Sequence, residues 1–210
     1  MRIETVVCGE IGENAYLVYA DGSHYCAVID PGAYAPVAAK LRELGLTPTH
    51  ILITHGHFDH IGGAGALQRE TGAKLAIHRL DEAALHDPRV SLAAFMGERG
   101  NSDPAEADIL LDDGSRVTAA GLRFDVLHTP GHTPGGVCYV LPEARVIFSG
   151  DTLFHGSVGR TDFPGGSQAA LLRSIQDGLY RLEGDYAVYP GHEESTTLDE
   201  ERTYNAFICD

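Results

Sequence analysis

One unit occurs twice in this chain and limits its fold more than any other feature: a strand-like apolar run ending at an aspartate, a helix, and a second strand-like run ending at a histidine. In the first copy the run 25–29 stops at Asp30-Pro31-Gly32. A helix follows, with Pro36 suited to its first turn, Val37, Leu41 and Leu44 on one face, and Gly45 suited to end it. Strand 50–53 then feeds directly into His55. In the second copy strand 144–148 ends at Ser149-Gly150-Asp151, and Ser167 caps a helix whose apolar stripe is Leu171, Leu172, Ile175, Leu179 and Leu182. Strand 186–189 then ends at Pro190-Gly191-His192. The repetition predicts an α/β chain of two related halves, roughly 1–105 and 106–210, forming one domain, with polar side chains presented at strand ends. Residues 97–104, polar and rich in breakers, read as a loop across the interface between the halves. Shorter signals predict a strand pair around the turn 20–23, a helix over 64–70 ended by Gly72, and a C-terminal helix opened by the capping box Thr197-Leu198-Asp199-Glu200 and carrying Tyr204 and Phe207.

The segment Thr54-His55-Gly56-His57-Phe58-Asp59-His60 crowds three histidines and an aspartate into one loop. His55 and His57, two apart in extended chain, point the same way, whereas Asp59 and His60 lie at the turn into a helix and are directed elsewhere. That division asks for two neighbouring ions. The remaining ligands come from other strand ends: His132 within the Gly/Pro-rich turn 129–136, Asp151 and His192. One site is then His55, His57 and His132, the other Asp59, His60 and His192, with the two oxygens of Asp151 touching both. Nitrogen and oxygen donors without a cysteine suit a pair of divalent ions, zinc first and iron or manganese also. His132 or His192 taken alone would be an ordinary turn histidine; it is the joint set that carries the reading. His24, His50, His78, His86, His128 and His155 have no ligand spacing.

Composition excludes several partners. Fifteen Lys and Arg against thirty Asp and Glu leave a formal charge of −15, which repels nucleic acid and anionic membrane surfaces. An apolar fraction of 43% over 210 residues supports a substantial core, and no apolar run approaches the ~18–20 residues of a membrane helix. The start, Met1-Arg2-Ile3-Glu4-Thr5, lacks the basic and apolar regions of a secretory signal, and the four cysteines (Cys8, Cys26, Cys138, Cys209) are scattered. Reduced thiols and a cytoplasmic location are expected.

The chain resembles the metallo-β-lactamase superfamily over nearly its whole length, through Asp30-Pro31-Gly32, the 54–60 segment, His132, Asp151 in Ser149-Gly150-Asp151-Thr152, and His192. The resemblance implies a four-layer αββα sandwich of two pseudo-repeated halves with a dinuclear site along one edge, and ligand roles matching those above. His60 and Asp151 look like the glyoxalase II branch. In that branch a hydroxide between two metals attacks the carbonyl of a thioester, often glutathione-linked, with Asp59 placed to orient it or take its proton. A thiolate leaves readily without a dedicated acid. The segment 153–166, containing Gly159-Arg160-Thr161-Asp162-Phe163, is similar both to short bacterial glyoxalase II-like hydrolases and to persulfide dioxygenases, which hold one non-haem iron by residues that here would be His55, His132 and Asp151. Lactonase activity is a further alternative in the superfamily. Asp30 matches a position that turns a metal-ligating histidine; the plain alternative is a turn-initiating aspartate. Arg160 matches a contact to a substrate carboxylate, and Asp162 is also placed to pair with it. Full-length glyoxalase II enzymes add a C-terminal helical region that grips glutathione, and only one helix follows His192 here, which points to a smaller or less selectively bound thioester.

Overall fold

Alternation of apolar side chains with period two, on strands flanked by amphipathic helices, builds the layers seen in the computed structural model, which describes residues 1–97 and 103–208. The first sheet has the order β1 (Arg2–Cys8), β2 (Glu13–Tyr19), β3 (Tyr25–Ile29), β4 (Thr47–Leu52), β5 (Lys74–His78) and β6 (Ile109–Leu111). The second contains β7 (Arg116–Ala119), β8 (Leu122–His128), β9 (Val137–Leu141), β10 (Val146–Gly150), β13 (Ala187–Pro190) and β14 (Thr196–Thr197), in the order β14-β13-β10-β9-β8-β7. A small hairpin, β11 (Leu153–Phe154) with β12 (Ser157–Val158), lies beyond β10.

Both copies of the repeated unit are parallel crossovers. β3 pairs parallel with β4 across α1 (Tyr34–Leu44), and β10 pairs parallel with β13 across α4 (Gln168–Arg173). Each strand sends alternate side chains to opposite faces. Leu17, Val28, Ile51, Leu75 and Ile77 pack towards α1 and α3 (Ala64–Thr71), while Tyr16, Ala27, Ile29, Leu52 and Ala76 turn to the second sheet. There they meet Phe124, Tyr139 and Phe148. On the far side Cys138, Val140, Ile147 and Val188 pack against Leu171, Ile175, Leu179 and Leu198, the last on α5 (Leu198–Tyr204). Three apolar seams between helix, sheet, sheet and helix make the αββα sandwich expected from the sequence.

Several boundaries differ from those the sequence suggested. The strand placed at 144–148 runs instead from Val146 to Gly150, because Ala144 and Arg145 close a turn onto Leu141 and Pro142, with Arg145 at φ 52. The helix capped by Ser167 is not continuous to Leu182. It widens into a π turn over Ser174–Gly178 and tightens into a 3₁₀ turn over Leu179–Arg181, which keeps Ile175 and Leu179 on the sheet and leaves Leu182 extended. The last helix ends at Tyr204, so Phe207 lies beyond it, exposed. Most of the segment 97–104, and Cys209, fall outside the described residues. Cys8, Cys26 and Cys138 are free and buried. Among the described residues no helix is long and apolar enough to cross a membrane.

Candidate metal centre

Strand direction gathers the polar residues. β9 is antiparallel to both β8 and β10, and β13 is parallel to β10, so the C-terminal ends of β8, β10 and β13 share one edge of the second sheet. Those ends lead to His132, Asp151 and His192, while β3 and β4 lead to Asp30 and to the 54–60 loop on the facing sheet. Main-chain bonds join the two edges: Val137 N–H donates to Thr54 O at 2.8 Å, and Asn14 N–H to Gly191 O at 2.8 Å. The short helix α2 (Phe58–Ile61) carries Asp59 and His60, and brings the His60 ring to 4.0 Å from that of His55 rather than directing it elsewhere.

All seven predicted ligands converge. His57 Nδ1 lies 3.1 Å from His55 Nε2 and 2.8 Å from His132 Nε2. Asp59 Oδ2 lies 3.2 Å from His192 Nε2 and 3.8 Å from His60 Nε2. Asp151 spans the groups, with Oδ1 at 3.4 Å from His60 Nε2 and Oδ2 at 3.5 Å from His132 Nε2 and 3.7 Å from His192 Nε2.

Hydrogen bonds at the outer ring nitrogens set which nitrogen carries a lone pair inward. His132 Nδ1 meets Arg160 O at 2.7 Å, and a carbonyl only accepts, so Nδ1 bears the proton. Thr54 Oγ1 donates to Asp30 Oδ2 at 2.5 Å and therefore accepts from His55 Nδ1–H at 3.2 Å. Asp30 also accepts from Thr54 N–H at 2.7 Å and His60 Nδ1 at 2.9 Å. Asp30 thus turns a site histidine rather than only opening a turn. The inward Nε2 of His60 and Oδ1 of Asp151 are buried without any hydrogen-bond partner. Orphaned lone pairs facing one another at 3.4 Å are what a cation between them would satisfy, so the donor set fits metal ions.

The electrostatics agree. Burial, and then the neighbouring imidazoles, hold His55 far below the ordinary imidazole value and His57 down to about 3, so both are neutral ligands at physiological pH. At His60 burial acts in the same direction, but the carboxylates of Asp151, Asp59 and Asp30 outweigh it and raise the value. A divalent cation competes with that proton for Nε2. Burial pushes Asp59 and Asp151 up, yet His60 and His192 win and keep both carboxyls low.

Three supports were not legible in the sequence. The buried Asp81 accepts from Gly56 N–H at 2.9 Å, Thr133 O–H at 2.7 Å and Gly135 N–H at 2.7 Å, clamping the loop of His55 and His57 to the loop of His132. Asn14 and Tyr16 hold the His192 loop: Asn14 Nδ2–H donates to Glu193 O at 2.9 Å and Tyr16 O–H to Pro190 O at 2.6 Å. Glu13 is wholly buried, with neither carboxyl oxygen hydrogen-bonded and Oε1 4.0 Å from His60 Nδ1. Burial raises its pKa well above the carboxylate range. None of the three has metal-ligand spacing or lies at a predicted strand end, so no sequence signal marked them.

The centre opens into a cleft of about 660 Å³. Arg160 lines it, but its guanidinium forms a two-point ion pair with Asp162, 2.7 Å at each contact, and lies 4.0 Å over the Phe163 ring.

The sequence profile of the metallo-beta-lactamase superfamily matches residues 8–192. The chain belongs to the metallo-β-lactamase superfamily. The matched residues include the His and Asp cluster able to hold metal ions. Among its relatives in the superfamily, hydroxyacylglutathione hydrolase GloC of Haemophilus influenzae is 34% identical over 218 residues, covering 99% of this chain and 98% of the relative. The crystal structure of the BLEG-1 B3 metallo-beta-lactamase superposes with a TM-score of 0.94 at 35% identity, covering 100% of both chains. TTHA1623, crystallised in a di-iron-bound form, gives a TM-score of 0.84 at 38% identity over 97% of this chain and 99% of its own. Relatives of the same likeness thus carry names for different substrates.

Proposed function

We propose that this metallo-β-lactamase-fold chain is a two-metal thioester hydrolase of the glyoxalase II type, acting on a small-molecule thioester in the cytoplasm. The observation that carries the reading is Asp151, whose carboxyl group lies near nitrogen donors of both half-sites, Oδ1 at 3.4 Å from His60 Nε2 and Oδ2 at 3.5 Å from His132 Nε2 and 3.7 Å from His192 Nε2. A pair of divalent cations there, zinc or alternatively iron or manganese, supplies Lewis acidity towards a carbonyl oxygen and lowers the pKa of water. His55, His57 and His132 would hold one ion, and Asp59, His60 and His192 the other. Asp59, ionised and lining the cleft, is placed to orient the attacking water and accept its proton. Among the described residues the cleft wall beyond the ligand set offers only Arg160 and apolar side chains, so no second acid stands ready for a leaving group. A thiolate needs none, whereas an amine does. The name of the GloC relative, a hydrolase of hydroxyacylglutathione, supports the same reading.

The test is thiol release from S-lactoylglutathione and simpler thioesters by protein reconstituted with zinc, iron or manganese, beside oxygen uptake with glutathione persulfide. Thioester cleavage lost in Asp59→Ala is expected. Persulfide-dependent oxygen consumption by protein holding one iron would replace this reading with the dioxygenase one.

A further inference from the structure

Resting on the thioesterase reading, we infer that the preferred substrate carries an apolar acyl chain on a thiol without carboxylates. Beyond the ligand set the cleft is walled by Ile11, Phe58, Leu92, Phe95, Met96 and Phe163. Two of these stand at its mouth with large uncovered area: Ile11 is 43% exposed and Phe95 73%. Apolar surface gathered at a concave site is covered by an apolar ligand at a gain proportional to area.

The charge pattern gives the second half of the inference. Arg160 is the one cation lining the cleft among the described residues outside the histidines. Asp162 occupies Nε and one of the two terminal nitrogens of its guanidinium, and Phe163 occupies one face. A glutathione thioester brings two carboxylates. To engage Arg160, either must displace Asp162 or bind the remaining terminal nitrogen beside it as a like charge, on a chain whose formal charge is already −15. An uncharged thiol meets no such opposition, and the acyl chain has the apolar wall to lie against.

Four substrates separate the two halves of this inference: octanoyl and acetyl thioesters of N-acetylcysteamine, which is neutral, and of glutathione. At fixed acyl group the neutral thiol is expected to give the higher kcat/KM. At fixed thiol, octanoyl is expected to exceed acetyl by ~10-fold or more, the range that a few apolar contacts provide. Phe95→Ala is expected to lower the octanoyl-to-acetyl ratio about 10-fold through KM, the signature of lost uniform binding. Asp162→Asn releases Arg160 and is expected to raise kcat/KM for the glutathione esters about 2- to 5-fold relative to the neutral ones, the range set by an exposed ion pair. Glutathione esters cleaved as well as or better than neutral ones, acetyl preferred over octanoyl, or an unchanged thiol preference in Asp162→Asn would each overturn the inference while leaving the thioesterase reading standing. Cleavage of none of the four by metal-loaded protein would remove the thioesterase reading itself, and this inference with it.

Discussion

Asp30 Oδ2 lies 2.9 Å from His60 Nδ1, and the opposite nitrogen of the same ring, Nε2, faces Asp151 Oδ1 at 3.4 Å. A carboxylate on the outer nitrogen fixes the tautomer and the aim of the inner one. Asp30→Ala is therefore expected to weaken the Asp59, His60 and His192 half-site by about 10- to 100-fold, and the other half-site less, through the Thr54 hydroxyl that holds His55. Metal titration with a competing chelator reads this directly, and equal loss from both half-sites would contradict it.

Asp81 ties together the two loops that supply His55, His57 and His132. Replacing it by alanine strands three buried donors, two N–H groups and one O–H. A loss of about 2–5 kcal/mol in stability is expected, together with selective weakening of the three-histidine half-site. Urea unfolding and metal stoichiometry of Asp81→Ala measure both; an unaltered midpoint would show that other contacts fix these loops.

Gly191 is needed for space rather than for flexibility. A Cβ built there would lie 2.3 Å from Asp151 Oδ1 and 2.6 Å from His60 Cε1. Gly191→Ala is expected to push aside the buried Asp151 Oδ1 and the buried His60 ring and to lose at least ~10² in activity. Near-normal turnover with two bound metals would show that the Asp151 position is looser than this packing implies.

The pH dependence of the metal-free protein has opposite signs on its two sides. For His55 and His57 the folded values lie below the ordinary 6.5. Below that pH the unfolded chain binds protons that the folded one refuses, so stability falls on acidification, for His57 down to about 3. For His60 and His192 burial is outweighed by the neighbouring carboxylates and the folded values are raised. Their contribution is fully present below 6.5 and is lost as pH rises through the folded values. Urea midpoints after chelation are expected to peak near pH 6.5. A midpoint climbing steadily between about pH 5 and 8 would contradict the assignment.

The convergence of the His and Asp side chains was legible in the sequence because strand ends and ligand spacing are local. Asp30, His55, Asp151 and His192 each follow a strand-like run, and two parallel crossovers bring those runs to one edge. The supports were hidden because they act across sequence distance. Asp81 meets Thr133 and Gly135 only after the sheets face each other, and Asn14 reaches the His192 loop 176 residues away. The pairing of Arg160 with Asp162 was legible in the sequence, whereas its stacking on Phe163 depends on how the loop folds. The broken helix after α4 followed the same logic: the apolar stripe showed which residues face the sheet, and packing decided how the backbone wound to place them.

Two ions acting together are the centre of this account, and a single titration tests them. Zinc added stepwise to chelator-treated protein, with thioester cleavage followed at each step, is expected to restore activity fully only at two equivalents per chain. Full activity at one equivalent, or no cleavage at two, would contradict it.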